Sequence, residues 1–397
     1  MDFVVPSEAY LDSRLLVPSL ANKALPCPVQ GQTTTYHFLA RNAIFHGLKV
    51  LGLKPGDKVF VPAFHCRTVI EPIIYFGCKI VFYNILRNGQ VDFQDIHRKM
   101  DSQIKSIVAI HYFGIIQPVH QLQSFCQQND LFFIEDCAHI LAGDIDGAPV
   151  GSFGDISIFS WRKFLPLYDG GILVCNRNFM RTSINWDKLN FHFEMKIVKN
   201  LIEKAIRDLL RKGKHGFGGN NQYLAKSKDI MKVKKKVSEN IQSKNSGSEL
   251  DRSRLNWPMS RWSKAILRKI DIPSVVQRRK ANTRVLHSAL NSLPGVQPWS
   301  LICEPSVCAW AFPMIVLSQN GIHIRLREKG IQAFTWGEST PHPSLPLDQF
   351  PDAKFLYERL VFLPNHQGLS SQDLQFVIEE VKEILYCHSR NPKKILQ

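Results

Sequence analysis

Leu131–Asn176 reads LFFIEDCAHILAGDIDGAPVGSFGDISIFSWRKFLPLYDGGILVCN. It contains three short β-rich runs: LFFIED, ISIFS and GILVCN. Each is nearly all apolar, the pattern of a strand covered on both faces. Polar and glycine residues gather at the ends of these runs: Glu135-Asp136, the GSFGD loop at 151–155, Arg162-Lys163 and Asp169-Gly170-Gly171. Open α/β sheets bind ligands beyond the carboxyl ends of their strands, so these clusters mark where chemistry is expected.

Upstream the same rhythm continues with KVFVP (58–62), KIVFYNI (79–85) and SIVAIHYFG (106–114). The intervening patterns predict helices near Thr68–Phe76, Phe93–Met100 and Val119–Asn129, of the length that crosses between parallel strands. A further helix is predicted over Ala40–Leu51. It stops at LGLKPGD, where Gly52 and the Pro55-Gly56 pair interrupt the pattern. The expected fold is α/β, with a mostly parallel sheet covered on both faces. Towards the C-terminus, strand-like WAFPMIVL and helices over Ile322–Lys329 and Ser371–Leu385 predict a smaller α+β domain. The expected division is 1–265 for the large domain, with a basic insertion at about 195–253, and 266–397 for the small one.

Composition narrows the class. The chain has 397 residues, 44% of them hydrophobic, which suffices for a large core. Nine scattered cysteines without a CxxC pair read as reduced thiols of a cytoplasmic protein, not as a zinc site. No run of about 18 apolar residues occurs, so no membrane span is expected. The N-terminus lacks a basic stretch followed by an apolar one, and no signal peptide is expected. The net charge is +16, and Phe191–Leu250 holds 14 Lys and Arg against 6 Asp and Glu. Within that segment Met195, Val198, Leu201, Ile202, Ala205, Ile206, Leu209 and Leu210 recur at helical spacing, with cations opposite. Such a helix packs on the body or a partner subunit, or lies on a membrane surface. Residues Lys212–Ser253 read as a mobile loop. No basic motif interleaved with aromatics points to nucleic acid.

Two side chains carry the chemical reading. Asp136, at the end of a buried strand, needs a cationic partner, and a protonated pyridine nitrogen is one. The plainer alternative is a helix N-cap. Lys163 stands just past another strand end in apolar surroundings. Desolvation lowers a lysine pKa, and the neutral amine can attack an aldehyde to form a Schiff base. Alone it would read as a surface lysine. Ser160 is near enough in sequence to hold a phosphate oxygen, and Asp169-Gly170-Gly171 lets the chain turn back tightly beside it.

From roughly Phe38 to Leu385 the order of these pieces resembles the DegT/DnrJ/EryC1/StrS family of pyridoxal 5'-phosphate (PLP)-dependent sugar aminotransferases. The resemblance rests on GDKVFVPAF, HYFG, FIEDCAH, GSFGDISIFS and DGG, with support from LGLKPGD, GIQAF and LPNHQGLS. It implies the fold-type I architecture of PLP enzymes and a homodimer with active sites at the subunit interface. By position, Lys163 would carry PLP and shuttle protons, and Asp136 would pair with the pyridine nitrogen. His139 would lie by the ring hydroxyl, and Ser160 would contact the phosphate. The helix start at Ala40-Arg41-Asn42 would offer the phosphate its N–H groups. Asn256, in LNWPMS, would reach the phosphate of the neighbouring subunit. The implied activity transfers an amino group from glutamate or glutamine to a nucleotide-linked keto-sugar. The alternatives are a PLP-dependent sugar dehydratase, whose relatives tend to lack the lysine, and a non-catalytic regulator on the same fold. Four departures stand out. The Ser160–Asp169 loop is short, and Arg41-Asn42 replaces Gly-Thr. His65-Cys66 replaces a Thr-aromatic pair, which makes His65 a candidate for stacking on the pyridine. Pro258 stands where an arginine is usual.

Overall fold

The computed structural model describes residues 4–17, 23–177, 184–215, 250–299, 307–317, 321–336 and 341–390. The part predicted as a mobile loop falls mostly at 216–249, outside the described residues. The main body runs β1 (Thr33–His37), α1 (Ala40–Val50), β2 (Lys58–Pro62), α2 (Arg67–Phe76), β3 (Lys79–Tyr83), α3 (Phe93–Lys99), β4 (Ile104–Ile110), α4 (Val119–Gln128) and β5 (Phe132–Asp136). A small hairpin of β6 (Asp144–Ile145) and β7 (Ala148–Pro149) follows, then β8 (Ile156–Ser160) and β9 (Gly171–Cys175).

Seven strands make one sheet in the order β1-β9-β8-β5-β4-β2-β3. β3, β2, β4, β5 and β8 are mutually parallel. β9 alone runs against its neighbours β8 and β1. The strands form where the apolar runs predicted them, because residues such as Val59, Phe60, Ile107, Ile134 and Ile158 are buried from both sides. The crossover helices end on local signals. α3 starts at Asp92, whose carboxylate accepts the Asp95 N–H, and α2 stops at Gly77 with φ 97°.

The second half contributes α5 (Phe191–His215), α6 (Arg261–Leu267), α7 (Ile272–Leu290), β10 (Val296–Pro298), β11 (Phe312–Val316), α8 (Ile322–Glu328), α9 (Pro351–Arg359), β12 (Leu360–Leu363) and α10 (Ser371–Arg390). β10-β11-β12 is an antiparallel sheet. Leu286, Leu290, Ile322, Leu326, Val377 and Val381 pack against it in a core of their own. Val5 joins that core and pairs with Ile331, so the start of the chain lies with this layer. Among the described residues no helix is long and apolar enough to cross a membrane.

One contact decides how the main sheet meets α1. The Asp169-Gly170-Gly171 turn brings β9 back beside β8, and Gly170 adopts φ 157°. A Cβ at Gly171 would collide with the Leu39–Ala40 peptide, the entry to α1. The missing side chain is what lets the first turn of α1 sit over the end of the sheet. Gly171→Ala should therefore shift the urea unfolding midpoint downward by the equivalent of about 3 kcal/mol. Gly47→Ala meets the flexible end of Ile156 instead, and should cost under about 1.5 kcal/mol. An equal loss for both would refute this account.

Candidate active site

Adjacent residues of a strand face opposite ways, and β5 uses this to split its two carboxylates. Glu135 turns towards the loop that precedes β8. Its oxygens accept N–H bonds from Gly151 (2.7 Å), Phe153 (2.9 Å), Gly154 (2.8 Å) and His111 Nε2 (3.0 Å). Burial would raise its pKa, but His111 and the backbone donors outweigh it and hold the carboxyl below its usual value. His111 Nδ1 accepts the Gln117 N–H. His111, Glu135 and Cys137 lie close enough to suggest a metal set. Glu135 is nevertheless committed to N–H donors, and the trio is a structural knot that shapes the GSFG loop.

Asp136 faces the other way. Its Oδ1 accepts the Ala138 N–H at 2.8 Å. Burial pushes its pKa up, while that N–H and the charge of Lys163 pull it down. Lys163 ends a one-turn helix, Trp161–Lys163, that follows β8 directly. Burial lowers its pKa to about 8; Cys66 and Asp136 act in the opposite sense and Arg162 adds to the depression. Its Nζ stands 4.7 Å from the centre of the Trp310 ring. The β5 and β8 ends thus bring Asp136 and Lys163 into each other's field.

Aromatic rings wall this space. His139 stacks on Phe113 (4.2 Å) and lies 5.4 Å from Trp310 and 5.1 Å from Trp336. Burial, reinforced by Lys163, pushes the His139 pKa well down, so the ring is neutral. Its buried Nδ1 has no hydrogen-bond partner among the described residues. Ser160 is buried at the end of β8 and does not cap the helix that follows it. The first turn of α1 also lacks a side-chain cap, since Leu39 holds the N-cap position. Arg41 in that turn pairs with Glu71 at 3.5 Å and senses Arg162 and Cys66.

Two sequence expectations change. Asn42 turns away from this space: its Nδ2 donates to the Arg254 and Leu255 carbonyls, and its N–H goes to Leu39 O. It fastens α1 to the 254–255 segment. His65 is no stacking residue, because its ring lies on Phe82 and its Nδ1 contacts Pro62 O. Of that pair, Cys66 is the member near Lys163. The Asn256 carbonyl accepts the Asp187 N–H, and its neighbours Arg254 and Leu255 lie along α1; its expected role concerns the neighbouring subunit's phosphate.

Sequence reading missed Arg279. This fully buried cation donates to Gln367 Oε1 (2.9 Å) and to the carbonyls of Phe164 (3.0 Å), Trp310 (3.0 Å), Ala309 (3.4 Å) and Asn365. It ties the residue after Lys163 to the tryptophan beneath Lys163. The signal was present: Val275, Arg279, Asn282, Leu286 and Leu290 form the buried stripe of α7, and a cation in that stripe demands acceptors.

Residues 40–192 match the model of the DegT/DnrJ/EryC1/StrS aminotransferase family. Curated relatives include a GDP-perosamine synthase of Vibrio cholerae, 33% identical over 137 residues, 34% of this chain and 37% of the relative. A UDP-N-acetyl-3-dehydro-alpha-D-glucosamine 3-aminotransferase of Acidithiobacillus ferrooxidans is 29% identical over 172 residues, 41% of this chain and 47% of the relative. The chain thus spans under half the length of these relatives. Among solved structures, Helicobacter pylori PseC, an aminotransferase of pseudoaminic acid biosynthesis, aligns with a TM-score of 0.67 at 16% identity, over 97% of this chain and 100% of that one. The aminotransferase TlmJ of Streptoalloteichus hindustanus aligns at 0.62 and 18% identity, over 90% and 86%. These likenesses show the fold.

The local geometry makes three predictions. The Lys163 amine should be acylated by a neutral reagent with a midpoint near pH 8, and Asp136→Asn should move that midpoint lower by removing the anion. Peptide mass mapping against pH measures both; a midpoint near 10.5 would contradict the buried setting. Stability should also rise between about pH 8 and 10.5, where the unfolded lysine still holds its proton and the folded one has lost it. Arg279→Met should destabilise the fold by about 3 kcal/mol or more, because it orphans several buried carbonyls, with Arg279→Lys intermediate. Chemical denaturation tests the ranking.

Proposed function

We propose, from the match of residues 40–192 to the DegT/DnrJ/EryC1/StrS aminotransferase family, that this chain is a PLP-dependent aminotransferase. One observation carries the reading. A half-buried lysine with its pKa lowered to about 8 stands just past β8, and a buried aspartate ends the neighbouring parallel β5, beside an uncapped helix start. The residues fit the cofactor. The Nδ1 of buried His139, without a partner among the described residues, and the uncapped first turn of α1, which Gly171 lets sit over the end of the sheet, are features a phosphorylated aromatic aldehyde would use.

PLP, when bound, supplies an aldehyde that captures amines and a ring that accepts electrons. The protein supplies the rest. Lys163 holds the aldehyde and, with its lowered pKa, takes and returns protons at Nζ near neutral pH. Asp136 keeps a proton on a ring nitrogen, since burial makes an unpaired anion there costly. His139 stays neutral and offers a ring nitrogen to the hydroxyl. Ser160 and the N–H groups at the start of α1 take the phosphate, with Arg41 adding positive charge. Asn256 would serve the partner's phosphate in a homodimer, beyond the reach of its own Lys163. The chain would act in the cytoplasm, with the large domain ending near 265.

The substrates follow from the relatives' printed names, which concern nucleotide-linked sugars. We propose glutamate or glutamine as donor and a nucleotide-linked keto-sugar as acceptor, for polysaccharide or secondary-metabolite synthesis. The net charge of +16 favours an anionic diphosphate substrate. The presence of Lys163 speaks against the dehydratase alternative.

The test is covalent trapping. Borohydride applied to protein saturated with PLP should fix the cofactor to the peptide holding Lys163, and Lys163→Ala should abolish that mass increase. Asp136→Asn should keep the linkage but lower the single-turnover rate with glutamate about 10²-fold or more, the scale of losing one positioned electrostatic group. Trapping at another lysine, or none, ends the proposal. Trapping without turnover of glutamate would favour the regulator.

A further inference from the structure

The helix α5 has two apolar faces, and the fold uses one. Phe193, Ile197, Leu201 and Ala205 are buried against the body. Asp208 accepts the Leu11 N–H at 2.9 Å, and Lys204 meets Glu8 at 3.4 Å, so the helix is anchored. The outer face is apolar as well. Phe191 (70%), Leu210 (63%), Leu209 (62%), Ile206 (54%), Met195 (49%) and Ile202 (46%) are exposed to these fractions. At 3.6 residues per turn they fall within an arc of about 100°. Scattered apolar residues on a surface need no explanation, but a contiguous stripe on one anchored helix does.

The charges beside the stripe indicate what covers it. Lys196 and Arg207 are exposed along its solvent edge, and exposed Lys199 rises from within it on a stem long enough to reach out. Of the carboxylates on the described part of α5, Asp208 is buried and Glu194 is held by Arg261 at 2.8 Å. That leaves Glu203, which Lys199 approaches at 3.9 Å. By sequence the helix ends in Arg211, Lys212 and Lys214. An apolar arc with a cationic margin is the profile of a helix lying in a bilayer interface. Anionic headgroups complement that margin. A second copy docked through the same stripe would set one cationic margin against another. One stripe of six side chains also falls short of the ~800 Å² per partner that a stable dimer buries.

We infer that the outer face of α5 is a docking surface for an anionic lipid bilayer, with Phe191, Met195, Ile202, Ile206, Leu209 and Leu210 entering the headgroup–acyl boundary and Lys196, Lys199 and Arg207 meeting lipid phosphates. The inference is independent of the aminotransferase reading. It would hold the catalytic body at the membrane surface without a spanning segment.

The full chain is mixed with vesicles of equal parts phosphatidylcholine and phosphatidylglycerol and sedimented. Binding is expected, at least tenfold weaker to pure phosphatidylcholine and weaker at high salt. The triple variant Ile202→Glu, Ile206→Glu, Leu209→Glu should lose at least tenfold in affinity while keeping its circular dichroism and urea midpoint. If it does not fold, the milder pair Ile206→Ser, Leu209→Ser should weaken binding several-fold. Absence of binding to the mixed vesicles overturns the inference. So does undiminished binding by a folded variant. Sedimentation equilibrium gives a third arm: a wild-type dimer that the variant converts to monomer would assign the face to a second copy instead.

Discussion

The electrostatic coupling between Asp136 and Lys163 is the constraint around which the site is arranged. Each group is charged in water and each has been drawn to a place where charge is costly. Parallel pairing of β5 with β8 sets their separation, since Asp136 lies in register with Ile158, two residues before the end of β8. Each is the other's partial compensation. A slip of one residue in either strand would exchange Asp136 with a neighbour facing the opposite side of the sheet. The register of the central strands is thus also the register of the site. Glu135 shows the contrast: four N–H donors satisfy it fully, so it is inert and purely structural.

The second layer of the protein reaches this pair through a cation. Arg279 lies on α7 yet fixes the Phe164 and Trp310 carbonyls on either side of Lys163. Burial lowers its pKa to about 10, which still leaves it charged at neutral pH. A guanidinium in a planar fork suits several carbonyl acceptors at once, where an ammonium would serve fewer. Gln367 adds an N–H bond to Phe164 O from the same side. The short loop after Ser160 is therefore held by packing and by these donors rather than by its own length.

The long strands and crossover helices were legible because burial on both faces leaves a continuous apolar run, and burial is what fixes these elements. The edge strand β1, TTTYH, was not, because it is mostly half-exposed and carries no apolar run. Lys163, Asp136, His139 and Ser160 were legible as residues at strand ends. The direction of a side chain was not, and there the reading failed. Nothing in the string His65-Cys66 says that Cys66 turns to Lys163 while His65 turns into the core against Phe82. Nor does Ala40-Arg41-Asn42 say that Asn42 spends its amide on carbonyls more than 200 residues away. Both outcomes depend on long-range contacts that a local pattern does not encode.

Cys66 in place of an aromatic removes one flat surface from the neighbourhood of Lys163. The structure supplies others from elsewhere in the chain. Phe113, His139 and Trp310 lie nearly parallel, and Trp336 meets them edge-on. Phe113 is held in a left-handed conformation, φ 49°, and stacks on Phe362 of β12 at 3.9 Å. A bulky residue adopts that conformation at a cost, and here the packing on both of its faces outweighs it. Two members of the wall, Trp310 and Trp336, come from the C-terminal half, and Arg279 fixes Trp310 through its carbonyl. The flat, apolar side of the site is therefore shared between the two halves of the chain, while Asp136 and Lys163 come from the first. Neither half holds a complete site, so the chemistry near Lys163 depends on how β11 and α7 dock against the parallel sheet.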